Sequence, residues 1–409
     1  MLREKKYSTL LVVLEQHFII NGSEVYTDVQ CDKLFWDRYL AVFDRLIVCA
    51  RMRPAIPEDK LSGLLQSNRP EVEFVAMPDF TGAFGLVNHQ IAIRQVIKKC
   101  LSRSDAAICR LPSPISLVAC PIFDNSCVPW AGEMMMNPRT AYSRESMQHL
   151  LQPVIQAMAV RSTKKACLSA NGISYVTDRV LQKEYPCRAI VDPHAEGFFT
   201  SNYSTINLDK NSYSILDWGD EPPQRVVLAH SGKMSDNRKG HRVFIETVSL
   251  LRRMGVNAYG ILIGDGPKRP EFEALAVSLG IGEYCEFTGW VCGFDEVQKL
   301  LHSAQFFIFP TLSEGLPRAI IEAMASGLIC LANAVDGIPE LLETECLSTS
   351  NTPDSYANMV SNFLRDWRHG RDVRKRQFDC AFRFRSEVLT DRRTHFYQRL
   401  LDSAMSSNI

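Results

Sequence analysis

Pro310-Thr311-Leu312-Ser313-Glu314-Gly315-Leu316-Pro317-Arg318-Ala319-Ile320-Ile321-Glu322-Ala323-Met324 decides the fold. An apolar run, 306–309, ends just before it, so the segment reads as a buried strand, a tight turn and a helix that starts near Pro317. Proline suits a first helical turn because its missing N–H would be unpaired there anyway. The open amides of such a turn, with the helix dipole, attract an anion. Glu314 lies in the turn, within reach of a ligand's hydroxyls. Glu322 lies more than one helical turn further on, where it can accept hydrogen bonds from a vicinal diol. Carboxylates for hydroxyls beside amides for phosphate suit a sugar nucleotide. By itself, a pair of glutamates at this spacing also fits an amphipathic helix with a solvated Glu322.

Upstream, Ser231-Gly232-Lys233-Met234-Ser235-Asp236-Asn237-Arg238-Lys239-Gly240 follows another apolar run, 226–230. A glycine-containing turn carrying Lys233 and Lys239 can hold a diphosphate from two sides and offset charge on a leaving phosphate. Taken alone, it reads equally as a solvated basic loop. Gly264-Asp265-Gly266-Pro267 ends the next run, and its glycines allow a close backbone approach or simply a turn.

The 409 residues are too many for one ordinary core, so two domains are expected. Hydrophobic content of 46% and charged content of 22% are those of a globular chain. A net charge of zero gives no global field for nonspecific nucleic-acid binding, and no nucleic-acid partner is expected. The 13 cysteines are odd in number and include no Cys-x-x-Cys pair, which disfavours a disulfide framework or a structural zinc and fits a reducing cytosol. The apolar stretch 10–14 is broken by Glu15, too early for a signal-peptide core. No apolar stretch is long enough to span a membrane. A cytoplasmic location, including the cytoplasmic face of a membrane, is the expectation.

Apolar runs alternate with amphipathic stretches, the rhythm of βα units and a parallel sheet. Strands are expected at 9–14, 45–49, 73–76, 106–110, 128–134 and 166–170, with helices at 89–102 and 174–185. Residues 200–223 are polar and turn-rich and read as the interdomain crossover. Strands at 226–230, 258–264, 285–288, 306–310 and 329–332 then alternate with helices at 242–254, 270–279, 294–303 and 317–326. A short helix at 339–342 and a helical tail over 355–403 follow.

With its preceding strand, its Gly-Leu-Pro turn and the following 322–327, the Glu314-to-Glu322 segment resembles the Glu-x7-Glu signature of retaining GT-B glycosyltransferases, especially glycosyltransferase family 4 of the bacterial surface and exopolysaccharide type. The resemblance implies an α/β chain, GT-B, with two Rossmann-like domains facing a central cleft. Residues 1–215 would bind the acceptor and 223–385 the nucleotide sugar, with a helix at about 386–409 crossing back. By resemblance Glu314 holds the donor sugar and Glu322 the ribose. Lys233 and Lys239 would hold the diphosphate, with Lys233 standing where the family has arginine. That change loses the bidentate fork. Gly232, Gly264, Gly315, Leu316 and Pro317 complete the donor loops. Val291, after Trp290, would shape the base pocket; an ordinary loop with a packed Trp290 reads as well. Asp336 replaces the first glycine of the family's Gly-Gly-Ile/Val-Pro-Glu loop and is assigned no role.

The N-terminal half departs further. Glu15-Gln16-His17 and Asn21-Gly22-Ser23 stand where the family has a Gly-Gly loop. His17 and Gly22 are assigned to the acceptor, with a surface role for His17 as the alternative. The family's N-domain histidine is missing; Glu133 replaces it or is structural. No two aspartates lie two apart, so the metal-binding Asp-x-Asp of the other major glycosyltransferase fold is absent. No metal and no cofactor are expected. The partners implied are a nucleotide sugar and a glycan or lipid-linked acceptor. The span 365–385 holds eight Lys or Arg against three Asp, which favours peripheral contact with an anionic membrane or else makes a solvated helix face. A GT-B sugar-nucleotide epimerase and a catalytically weak nucleotide-sugar-binding scaffold remain as alternative functions.

Overall fold

The computed structural model describes residues 7–406 apart from 29, 58, 60, 81 and 145–149. The chain forms two compact units. The first takes residues up to Arg139, Pro153–Tyr203 and the residues from Thr390 on; the second takes Thr140–Gln152 and Ser204–Leu389.

The first unit is built on β1 (Thr9–Asn21), β2 (Glu24–Thr27), β3 (Arg45–Pro54), β4 (Leu65–Gln66), β5 (Val72–Met77), β6 (Ala106–Leu111), β7 (Trp130–Met134), β8 (Gly172–Tyr175) and β9 (Phe199–Asn202). Seven of these lie parallel in the order β5-β3-β1-β6-β7-β8-β9. Central parallel strands are covered on both faces and read as continuous apolar runs. Leu10, Leu11, Val12 and Val13 of β1 are accordingly sealed from solvent. β1 outruns its expected end at Leu14. It bulges between Val13 and His17, then folds back through a two-residue turn onto β2, pairing Asn21 with Glu24.

Two long helices of this unit are α1 (Gly82–Leu101) and α2 (Gln152–Ser169). The strand expected at 166–170 is instead the end of α2, and β8 supplies the strand two residues later. Ala159, Thr163, Ala166 and Cys167 are the buried positions there, at helical spacing. A short apolar run does not by itself separate strand from buried helix. The helix expected over 174–185 shrinks to Val180–Glu184 for the same reason: its first residues belong to β8.

The second unit carries β10 (Val226–Ser231), β11 (Ala258–Ile263), β12 (Cys285–Gly289), β13 (Phe306–Phe309), β14 (Ile329–Asn333) and β15 (Leu347–Ser348). They run parallel in the order β12-β11-β10-β13-β14-β15. The helices α3 (His241–Arg253), α4 (Arg269–Ser278), α5 (Phe294–His302) and α6 (Arg318–Ala325) follow β10 to β13 in turn. α7 (Pro353–Arg365), α8 (Trp367–Ala381) and α9 (Ser386–Ser406) close the chain. The strand order reverses at β10, with β11 on one side and β13 on the other. Ligands of open α/β sheets bind beyond the carboxyl ends of the strands at such a switch point.

The basic run 365–385 is drawn partly into this unit. Arg374 is buried and donates to the carbonyls of Gly327 and Leu216, Arg371 pairs with Asp220 at 2.7 Å, and Arg376 pairs with Glu343 at 2.6 Å. No helix among the described residues is long and apolar enough to cross a membrane.

Candidate active site

The loops leaving β10, β11, β13 and β14 are stitched to one another by their backbones. Leu312 N donates to Arg238 O at 2.8 Å, and Asn333 Nδ2 to Thr311 O at 2.8 Å. Gly337 N donates to Gly315 O at 3.0 Å. On the other side, Gly232 N reaches Ile263 O at 2.9 Å and Met234 N reaches Asp265 O at 2.8 Å. Two glycines permit this crowding. Gly240, at φ +80°, leaves room for the Pro310 carbonyl, and Gly264, at φ +134°, for the carbonyl of Gly232; a Cβ at either would collide with them. Both conformations also lie where side-chain-bearing residues are rare.

Across this floor the fold joins two of the candidate catalytic residues. Lys239 Nζ donates to Glu314 Oε1, and Thr311 Oγ1 lies 3.4 Å from the same oxygen. The lysine stem lies along Gly232, whose missing Cβ would stand 3.2 Å from Lys239 Cβ and Cγ. Gly315, Leu316 and Pro317 form a buried turn, with Pro317 at the N-cap of α6. Glu322 follows on α6, half-buried. Burial pushes its carboxyl above the usual range, and the Arg318 charge offsets this only in part. Lys233 is exposed on the β10 loop. Val291 is half-buried in the loop after β12, and its neighbour Trp290, 52% exposed, is not a packed core residue.

Beneath the loops lies a pair of histidines that the motif reading did not single out. His230, at the end of β10, and His241, the first residue of α3, are both fully buried, their rings edge to face at 4.5 Å. His230 Nδ1 lies 2.9 Å from Ile308 O, and His241 Nε2 lies 3.2 Å from Gly232 O. Each ring therefore has an N–H to give a carbonyl, and His241 holds the first turn of the lysine loop. Burial holds the imidazole of His241 down, to about 4, and that of His230 well below its ordinary value.

Asp336, also passed over, adopts the left-handed region at φ +48°. Its Oδ2 accepts from Glu314 N at 3.0 Å and from Thr140 Oγ1 at 2.7 Å. Thr140 Oγ1 in turn accepts from Ser313 Oγ at 3.1 Å. No spacing pattern announces these contacts, because the partners meet only when the loops fold. The single signal was that a residue other than glycine stands in a glycine-like turn.

In the first unit, His17 is exposed and its Nδ1 lies 2.8 Å from Asp79. A cavity of ≈ 280 Å³ is lined by Glu15, Gln16, His17, Asp28 and Arg53 among others. Gly22 sits at the tip of the β1–β2 turn, at φ +62°. Glu133 is placed differently from an open site residue. It is 3% exposed on β7 and takes hydroxyls from Tyr39 (2.9 Å), Tyr203 (3.2 Å) and Tyr397 (2.6 Å), with Arg110 Nε 3.4 Å away. Burial would raise its carboxyl, but Arg110 and the tyrosine hydroxyls outweigh that and hold it below the usual range. The geometry makes Glu133 an internal tie-point of this unit.

Residues 225–366, which contain the stitched loops, match the family model described as glycosyl transferases group 1. Protein CapJ of Staphylococcus aureus is 24% identical over 79% of this chain and 78% of its own length. A GDP-mannose-dependent alpha-(1-6)-phosphatidylinositol dimannoside mannosyltransferase of Mycobacterium tuberculosis is 27% identical over 38% of this chain and 40% of its own. Among solved structures, Anabaena HepE in complex with UDP superposes with a TM-score of 0.63 at 15% identity, covering 93% of this chain and 97% of that one.

Proposed function

Starting from a group 1 glycosyltransferase with the GT-B fold, we propose that the chain is a retaining family 4 enzyme that moves a sugar from a nucleotide-diphosphate sugar to a glycan or lipid-linked acceptor. The observation that carries this is the junction of Lys239 with Glu314 at the switch point, with Glu322 on the helix that follows. Lys239 and Lys233 supply positive charge for the departing diphosphate. Glu314 orients the sugar, and the half-buried Glu322 accepts from the ribose hydroxyls. The glycosidic C1–O bond breaks, the acceptor oxygen bonds to C1 on the same face, and the acceptor's proton passes to the leaving phosphate oxygen. No side-chain nucleophile is needed.

The proposed charge stabilisation comes from the lysines and the turn amides, without a cofactor. The cavity beside His17 is the proposed acceptor subsite in the first unit. A lipid-linked acceptor accords with the mycobacterial relative, whose substrate is named as a phosphatidylinositol glycoside. It would put the enzyme at the cytoplasmic face of a membrane, as a peripheral protein.

The test is a thermal-shift screen against UDP, GDP, ADP and dTDP and their common sugars, without added metal. A ligand that binds only the native state raises the midpoint. A selective shift that Glu322→Ala removes supports the donor site. Binding without turnover, over a panel of glycan and lipid-linked acceptors, supports a scaffold instead.

A further inference from the structure

Asp336 stands in the loop after β14 with its backbone at φ +48°. Residues with a Cβ avoid this region; Asp and Asn enter it when a short polar side chain finds a local partner. Such strain persists where surrounding contacts hold it, and it gathers at functional sites. Here the holding contacts are specific. One carboxylate oxygen, Oδ2, takes the Glu314 amide at 3.0 Å and the Thr140 hydroxyl at 2.7 Å. Ser313 closes the circuit by donating to Thr140 at 3.1 Å. The same two loops are joined again by Gly337 N to Gly315 O and by Asn333 Nδ2 to Thr311 O. Glu314 is therefore gripped at both ends: its amide by Asp336 and its carboxylate by Lys239.

We propose that Asp336 is a positioning residue of the donor-sugar subsite, fixing through the Glu314 amide the backbone from which the Glu314 carboxylate meets the sugar. This rests on the donor-site reading above. The tether touches Glu314 and not Glu322, which sits eight residues on, within α6. Loss of the tether therefore disturbs the handling of the sugar and spares the nucleotide. Glycine at 336 permits the same backbone without the tether. Asparagine keeps an oxygen acceptor, tolerates the same φ and removes the charge.

The experiment compares wild type with Asp336→Gly and Asp336→Asn in three readouts. These are transfer kinetics with UDP-, GDP-, ADP- and dTDP-sugars, affinity for the corresponding nucleoside diphosphates, and amide exchange of the segment 311–317 in the ligand-free protein. Loss of one hydrogen bond, charged or not, supports the expected size: Asp336→Gly lowers kcat/KM about tenfold. It leaves nucleoside diphosphate affinity unchanged and speeds exchange in 311–317, while Asp336→Asn stays near wild type in all three. Wild-type transfer by Asp336→Gly overturns the proposal. So does unaltered exchange in 311–317, or an equal loss in Asp336→Asn. If the wild type neither binds nor turns over any nucleotide sugar, the donor-site reading fails, and the exchange comparison still decides whether Asp336 holds Glu314.

Discussion

Lys239 and Glu314, 75 residues apart in the chain, form an ion pair. The lysine side chain is about a third exposed and the glutamate 13%. The pair is thus reachable from solvent but partly shielded from it. At the proposed donor site, an arriving diphosphate would compete with Glu314 for the lysine.

Glu314→Gln removes that competition. The variant is expected to bind nucleoside diphosphate at least as tightly as wild type while transfer falls about a hundredfold, the size seen when one preorganised electrostatic partner is lost. Titration calorimetry with the diphosphate and a product-release assay read the two effects separately. Weaker diphosphate binding in the variant would contradict the competition.

Glu322 is raised by burial and lies on α6. Glu322→Ala is expected to weaken nucleotide-sugar binding by about tenfold, the equivalent of one charge-assisted hydrogen bond. Affinity for the diphosphate lacking its ribose should not change. Pyrophosphate as a competitor provides that control.

Glu133 predicts a stability effect and no catalytic one. Removing one partner of a buried charged pair costs about 3–5 kcal/mol, so Glu133→Ala should unfold far more readily than wild type. Tyr397→Phe deletes one of three hydroxyls and should cost about 1–2 kcal/mol. Urea unfolding checks both. Turnover per folded molecule should be unaltered in Tyr397→Phe. Because its folded carboxyl lies below the ordinary 4.5, the tie stabilises above that pH and weakens as acid carries it through the lower value.

The buried histidines predict a second pH effect. Their folded values lie below the ordinary 6.5, so both states are neutral above it and the full stability is present. As pH falls below 6.5, the unfolded chain takes up protons that the folded chain refuses. For His241, whose folded value is about 4, the loss approaches about 3 kcal/mol across that window. Melting curves between about pH 7 and pH 5 should show a steeper decline in wild type than in His241→Asn.

The second unit was legible because its signals are local. The apolar run before Glu314, the Gly-Leu-Pro turn and the helix carrying Glu322 are consecutive, and the β10 loop carries its lysines in one stretch of ten residues. The contacts that make a site of them are not local. Asp336 meets Glu314 across 22 residues, and His230 meets Ile308 across 78. Neither pairing leaves a trace in spacing. Glu133 shows the same limit from the other side: its position on a strand was clear, but its tyrosines lie 94, 70 and 264 residues away, so nothing nearby marked it as enclosed. The misplaced strand at 166–170 had a different cause, since alanine and cysteine in a short run fit either period.

Tyr397 reaches Glu133 from α9, and the residues from Thr390 on belong to the first unit. The Glu133 carboxylate therefore gains this hydroxyl only after the strands β10 to β15 of the second unit, which lie between the two residues in the chain, have been translated.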